Sequence, residues 1–339
     1  MSEIAIIGAG AWGTALSIIL GRKGSHKVRL WAHEKEVCES IAQRRINEKF
    51  LPDQQIPACV TPCNSLKEAL DGVGIVVSVM PSQHCHRLFE QMRPYLNPET
   101  MIVSATKGLE EGSLLRMTEV IAQILTGDWG RPRIGALSGP SFALEAARGD
   151  ATAITIASQD AELARTIQRE FSNASFRIYT NDDPTGVELG GALKNTIAIA
   201  AGVCAGLSLG HNSVAALITR GLAEMTRLVV ACGGKAETMA GLAGLGDLVL
   251  TCTGGLSRNR SVGVELGKGR KLPEIIAGMN DTVAEGIFTT TAAVGLARAR
   301  GVEMPITEQM HAILYQGKAP SEAIHELMTR SGKSEAIIT

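Results

Sequence analysis

Three stretches of this 339-residue chain have residue types and spacings that could do chemistry. The first is Gly8-Ala9-Gly10-Ala11-Trp12-Gly13. Its glycines have separate physical jobs: a tight turn, close backbone approach to a pyrophosphate, and close helix–strand contact. That reading requires a strand before the run and a helix after it. Ile4-Ala5-Ile6-Ile7 reads as a buried parallel strand, and Thr14 to Leu20 as a helix packing back on it. Free amides at such a helix start face phosphates, and the helix dipole favours their negative charge. Dinucleotide binding is the expectation.

The second is Lys194. On a helix opened by Asp183-Pro184, its neighbours three and four positions away are Gly190, Gly191, Ile197 and Ala198, none of them a carboxylate. The lysine projects from a small, apolar face. Two mid-helix glycines cost about 1 kcal/mol each against alanine, so something must approach closely there. Desolvation or a neighbouring cation would lower the lysine's pKa toward neutrality, which suits a proton donor to the oxygen of a carbonyl whose carbon receives a hydride. The alternative is a lysine snorkelling to water, which leaves the paired glycines unexplained. Asn195, next along, could polarise or position the same substrate.

The third is Gly254-Gly255-Leu256-Ser257-Arg258-Asn259-Arg260, a loop feeding a helix with Ser257 as N-cap. Free amides, a hydroxyl, an amide side chain and an arginine fork make a phosphate site, or else only a capped helix with solvated arginines. Upstream, Gly244-Leu245-Gly246-Asp247 places an acid on a tight turn, able to orient a lysine or a substrate hydroxyl, or merely to cap a helix.

The elements that must position these groups change character along the chain. Strands are expected at Val28–Ala32, near Val60, at Gly74–Met80, Met101–Ala105, Ile134–Leu137 and Ala153–Ile156, with helices at Leu66–Leu70 and from about Ser113 to Leu125. Such alternation indicates a doubly wound parallel sheet. Ligands bind beyond the carboxyl ends of its strands, where Met80-Pro81-Ser82, Thr106-Lys107-Gly108 and Ser138-Gly139-Pro140-Ser141-Phe142-Ala143 lie. Lys107 is either a solvated loop lysine or, beside the cofactor cleft, a cation at its mouth. The second strand ends at His33-Glu34 with no clear terminal Asp for the adenosine ribose, which leaves room for a 2′-phosphate and favours NADP(H) unless Glu34 turns inward. After about residue 183 the pattern is helical: a helix to about Leu207, another over Ser213–Cys232, and more near 257–267, 289–299, 305–315 and 320–330. The expected fold class is α/β: an N-terminal Rossmann-type doubly wound sheet over residues 1–185 and an all-helical substrate-binding and catalytic domain over 186–339.

Composition narrows the function classes. A net charge of −1 provides no basic field for nucleic acid or a membrane surface. The apolar run Thr196–Leu209, broken by Gly202 and Gly206, is read as too short for a membrane span. Seven scattered cysteines, with no secretory segment before the first strand, point to reduced thiols in a cytoplasmic protein. Cys59 and Cys63 with His84-Cys85-His86 fit no zinc spacing, so no metal is expected.

With these motifs in hand, the chain resembles the bacterial NAD(P)-dependent glycerol-3-phosphate dehydrogenases over nearly its full length. The likeness runs through Gly8–Ala15, Asn47-Glu48-Lys49-Phe50-Leu51-Pro52, Ala105-Thr106-Lys107-Gly108, Ser138–Ala143, Gly191-Ala192-Leu193-Lys194-Asn195, Gly244–Asp247 and Ser257-Arg258-Asn259. The resemblance implies reversible reduction of dihydroxyacetone phosphate to sn-glycerol 3-phosphate, feeding phospholipid synthesis. It implies Lys194 as proton donor and acceptor, and Lys107, Gly139, Ser141, Asp247, Ser257, Arg258 and Asn259 as substrate contacts. It implies Ala11, Trp12, His33, Lys107, Ala143, Arg258, Val283 and Glu285 as cofactor contacts, along with a homodimer and feedback inhibition by product. His33 stands where many of these enzymes carry arginine, which bears on NADP preference rather than on cofactor binding. A lysine-dependent β-hydroxyacid or 6-phosphogluconate dehydrogenase shares the plan, but Ser257-Arg258-Asn259 with Lys107 suits a small phosphorylated ketone. A non-catalytic dinucleotide sensor would not need Lys194.

Overall fold

In the computed structural model, which describes residues 2–279, 284–332 and 334–335, the β-branched runs of the first half form an eight-stranded sheet. Its strands are β1 (Ser2–Ile7), β2 (His26–Trp31), β3 (Val60–Cys63), β4 (Ile75–Ser78), β5 (Met101–Ser104), β6 (Ile134–Ser138), β7 (Thr152–Ala157) and β8 (Phe176–Asn181). The order is β3-β2-β1-β4-β5-β6-β7-β8, so the chain reverses its direction of travel between β1 and β4, the switch point at which doubly wound sheets bind nucleotides. The helices between strands are α1 (Ala11–Arg22), α2 (Lys35–Arg44), α3 (Leu66–Leu70), α4 (Cys85–Met92), α5 (Met117–Trp129), α6 (Ala143–Arg148) and α7 (Ala161–Phe171). Ile4, Ile6, Leu16, Leu30, Val77 and Val103 are completely buried in the core shared by sheet and helices.

Two expectations for this half need correction. The sheet is not wholly parallel, because β7 runs antiparallel to β6, with Leu137 opposite Ile156. The intervening α6 has six residues, a rise of about 9 Å, too little to carry the chain back past a whole strand for a parallel return. The helix expected from Ser113 begins instead at Met117. Before it, Leu109 and Arg116 form an antiparallel bridge and Leu114 sits at a left-handed φ of 61°, which no helix accommodates.

A second unit comprises Lys107–Arg116 together with the chain from Thr185 onward. It is helical: α8 (Pro184–Gly206), α9 (His211–Ala231), α10 (Ala236–Met239), a π-type turn (Leu242–Gly246), α11 (Asp247–Thr253), α12 (Arg258–Gly267), α13 (Leu272–Ala277), α14 (Glu285–Arg300), α15 (Pro305–Tyr315) and α16 (Pro320–Met328). Every residue of α8 from Gly186 to Cys204 is buried. Contrary to the reading of its apolar run as too short, α8 is long and apolar enough to cross a membrane, but 89% of that stretch is buried inside the fold.

Two glycines near the end of α8, Gly202 and Gly206, are explained by its crossing with α12. A Cβ on Gly202 would stand 2.0 Å from the Arg260 carbonyl oxygen, and one on Gly263 would stand 1.9 Å from that of Ile199. Gly206 and Gly267 continue the contact one turn on. The two backbones touch, which sets the spacing between Lys194 on one helix and the Arg258 end of the other. Gly263→Ala is expected to lower stability by about 1–3 kcal/mol through overpacking. Gly127→Ala in α5, where nothing lies within 4 Å, should instead raise it by about 0.5–1 kcal/mol. Urea midpoints for the two variants should move in opposite directions.

Candidate active site

The π-type turn is pressed against α8 because Gly190 has no side chain: a Cβ there would lie 2.7 Å from the Ala243 carbonyl oxygen. This contact, one turn before Lys194, brings the start of α11 to the lysine. Asp247 then faces two ammonium groups. Its Oδ1 accepts from Lys194 Nζ at 2.7 Å and its Oδ2 accepts from Lys107 Nζ at 2.7 Å. The side chains of Lys194, Asp247 and Lys107 are 6%, 2% and 18% exposed, so the pairing is made in a poorly solvated place. Lys194 also donates to Thr251 Oγ1 at 2.5 Å, and that hydroxyl donates to the Asp247 carbonyl at 2.7 Å. Thr251 was not foreseen; its signal is its position four residues after Asp247, the same face of one helix.

Burial pulls the Lys194 ammonium's pKa down and the Lys107 cation acts in the same direction, while Asp247 resists; the result is about 8. At neutral pH Lys194 is protonated yet ready to release its proton. Such a group serves as general acid in one direction and general base in the other.

Beside this cluster, Ser257 caps α12, its Oγ accepting from Arg260 N–H at 3.2 Å. Arg258 is exposed at that helix start, and Asn259 is buried. The Asn259 amide is engaged at both ends: Nδ2 donates to Asn195 Oδ1 at 2.9 Å, and Oδ1 accepts from Gly286 N–H at 3.0 Å. It thereby ties α8, α12 and α14 together. Glu285, at the start of α14, is pushed up to about 7 by burial, against the pull of Arg258, Lys107 and Lys194. Val283 lies outside the described residues. Lys107, Lys194, Asn195, Asp247, Ser257, Arg258, Asn259 and Glu285 all belong to the helical unit.

The remaining candidates belong to the sheet unit. Gly8 has φ 123°, and a Cβ there would meet the Val79 carbonyl oxygen at 2.6 Å; one on Gly13 would meet the Gly8 carbonyl oxygen at 1.9 Å. Nothing lies within 4 Å of where a Cβ on Gly10 would sit, so the backbone is open to a ligand there. No side chain caps α1 and no acid occupies its first turn. A helix start with these properties fits a pyrophosphate. Asn47 braces the turn from below, its Nδ2 donating to the Ala9 carbonyl and to Thr14 Oγ1, both at 2.8 Å. Ala11 and Trp12 are half-buried in the first turn of α1. Beyond β2, His33 is exposed with its ring 5.9 Å from that of Trp31, and Glu34 pairs with Lys49 at 3.6 Å. Gly139 has φ 147° and a Cβ there would meet Ile154 Cα at 2.9 Å, Ser141 Oγ donates to the Gly139 carbonyl at 2.9 Å, and Ala143 opens α6.

Comparison with known proteins covers both units. Residues 3–164 match the N-terminal part, and 183–325 the C-terminal part, of the NAD-dependent glycerol-3-phosphate dehydrogenases. A Koribacter versatilis protein named glycerol-3-phosphate dehydrogenase [NAD(P)+] is 68% identical over 335 residues, 99% of each chain. The crystal structure of a glycerol-3-phosphate dehydrogenase from Coxiella burnetii is similar at TM-score 0.92 and 42% identity, over 97% of this chain and 99% of that one. A ketopantoate reductase from Ralstonia eutropha, at 18% identity and TM-score 0.59 over 95% of this chain and 100% of that one, shares the fold alone.

Proposed function

Since this chain belongs to the NAD-dependent glycerol-3-phosphate dehydrogenase family, we propose that Lys194 is its proton donor and acceptor, held between Asp247 and Thr251. The enzyme is an NAD(P)-dependent oxidoreductase that reversibly reduces dihydroxyacetone phosphate to sn-glycerol 3-phosphate, a product used in phospholipid synthesis. The observation that carries the assignment of roles is the buried Asp247 carboxylate shared by two ammonium groups.

When bound, the reduced nicotinamide supplies a hydride to the central carbon of the ketone. The chain's own residues do the rest. The Lys194 ammonium donates its proton to the ketone oxygen as negative charge develops there. Asp247 orients that ammonium, and its second oxygen keeps Lys107 alongside as a further cation for the substrate. Arg258 and the Ser257-capped start of α12 receive the substrate phosphate, with fork and amides matched to its oxygens. Asn195 and Asn259 hold the spacing of the helices that carry these groups. The glycine turn of the sheet unit takes the dinucleotide through Gly8, Gly10, Ala11, Trp12 and Gly13; His33, Ala143 and Glu285 are assigned to the same cofactor, and Gly139 and Ser141 to the substrate. An exposed His33 with Glu34 paired to Lys49 supports NADP(H) over NAD(H). A cytoplasmic homodimer completes this reading, its stoichiometry to be read by light scattering.

Oxidation of NADPH and NADH, measured separately with dihydroxyacetone phosphate across pH, tests the proposal. Reduction needs the ammonium, so its kcat/KM should be flat below pH about 8 and fall above it; glycerol phosphate oxidation needs the free amine and should rise through the same pH. Two profiles bending in the same direction would remove Lys194 from the role.

A further inference from the structure

The segment Lys107–Arg116, which follows β5, is built more firmly than a connection requires. Leu109 is buried in the core of the helical unit and Leu114 packs against that core. Leu109 and Arg116 pair as an antiparallel bridge. Inside the loop, Glu110 N–H donates to the Leu115 carbonyl at 2.9 Å and Leu114 N–H to the Glu110 carbonyl at 3.0 Å. Leu114 at φ 61° is in a conformation that a non-glycine residue keeps only where the surroundings impose it. At the closing end, the Arg116 guanidinium stands 2.6 Å from Glu188 Oε2, with side chains 16% and 5% exposed. At the opening end stands Lys107, on Asp247.

We propose that the Arg116–Glu188 ion pair is a positioning device for Lys107, clamping this loop to α8 so that the Lys107 ammonium is held on Asp247. The proposal rests on the assignment of Lys194 as proton donor. Glu188 lies on the same rigid helix as Lys194, six residues before it, a rise of about 9 Å. The bridge between Leu109 and Arg116 transmits the clamp to within two residues of Lys107. A buried ion pair is weak evidence for stability, since apolar residues of like volume often serve as well, but its geometry is directional. Direction is what a loop carrying a cation to a fixed carboxylate needs. The charged and titratable groups around Lys194 are Asp247 and Cys252 from α11, Lys107 from this loop and Glu285 from α14. Of these, Lys107 is the one whose place depends on the clamp, and its charge lowers the Lys194 pKa.

Arg116→Met and Glu188→Gln, in the full-length protein, break the clamp from either side, so one remains informative if the other fails to fold. Each is expected to lower kcat/KM for dihydroxyacetone phosphate about tenfold to a hundredfold. With Lys107 displaced, the alkaline limb of the reduction profile should move to higher pH, as it should in Lys107→Ala. Arg116→Lys, which keeps a cation, should restore part of the loss. In a Lys107→Ala background, Arg116→Met should add little, because its effect passes through Lys107. Amide hydrogen exchange should quicken at Glu110 and Leu114 while α8 stays protected. An unmoved pH limb, effects that multiply in the Lys107→Ala background, or unchanged exchange in the loop would overturn the proposal. A wild-type enzyme inert toward dihydroxyacetone phosphate would instead sink the assigned activity, and the exchange measurement would still decide the clamp.

Discussion

Lys194→Ala is expected to lower kcat for ketone reduction by about 10²–10⁴-fold, the range a positioned proton donor contributes. The binding of NADPH, followed by quenching of its fluorescence, should be nearly unchanged, because the glycine turn is untouched. Alanine removes a group that is at once buried, bonded to Asp247 and Thr251, and poised near neutrality. Lys194→Arg sharpens the test. It keeps a positive charge facing Asp247, but a guanidinium does not release its proton at any working pH. Turnover in the arginine variant should therefore stay within about tenfold of the alanine variant. Arginine turnover close to wild type would show that only charge is needed and that the proton comes from elsewhere.

Asp247→Asn should have the second-largest effect, and it should bend the pH profile the other way from loosening of Lys107. Asparagine is nearly isosteric, so the turn before α11 is preserved while the charge between two lysines disappears. Asp247 is the group holding the Lys194 pKa up against burial and against Lys107. Without it the Lys194 pKa falls below about 8, and the alkaline limb of ketone reduction moves to lower pH. The fall in kcat/KM should reach about 10²–10³-fold at pH 8, since the proton donor is both disoriented and deprotonated. Breaking a buried pair by removing one partner also costs about 3–5 kcal/mol, an upper bound here because Lys194 can shed its proton. A limb that stays in place in this variant would show that the carboxylate does not govern the lysine.

Much of the architecture was legible in residue order, and the misses have a common cause. β1, β4 and β5 are continuous apolar runs, as parallel strands buried on both faces must be. β8 was overlooked because it is an edge strand with one solvated face: Phe176 and Ile178 are buried while Arg177 and Tyr179 are exposed, so no apolar run marks it. α10, the π-type turn and α11 were overlooked because they have four, five and seven residues, too few for a helical period to register. They are also the segment that delivers Asp247. The resemblance implies Asn259 as a substrate contact; that its amide also braces Asn195 and Gly286 depends on where two other helices lie.

Local patterns determined most of the elements, the glycine turn between β1 and α1 and the apolar face that carries Lys194, because these are set by residues within a few positions of one another. Folding alone decided that one carboxylate would serve two lysines, from partners 53 and 140 residues distant in the chain. It also decided that Lys194 would titrate near 8, since removal of water is a property of the packed neighbourhood and not of any residue's name.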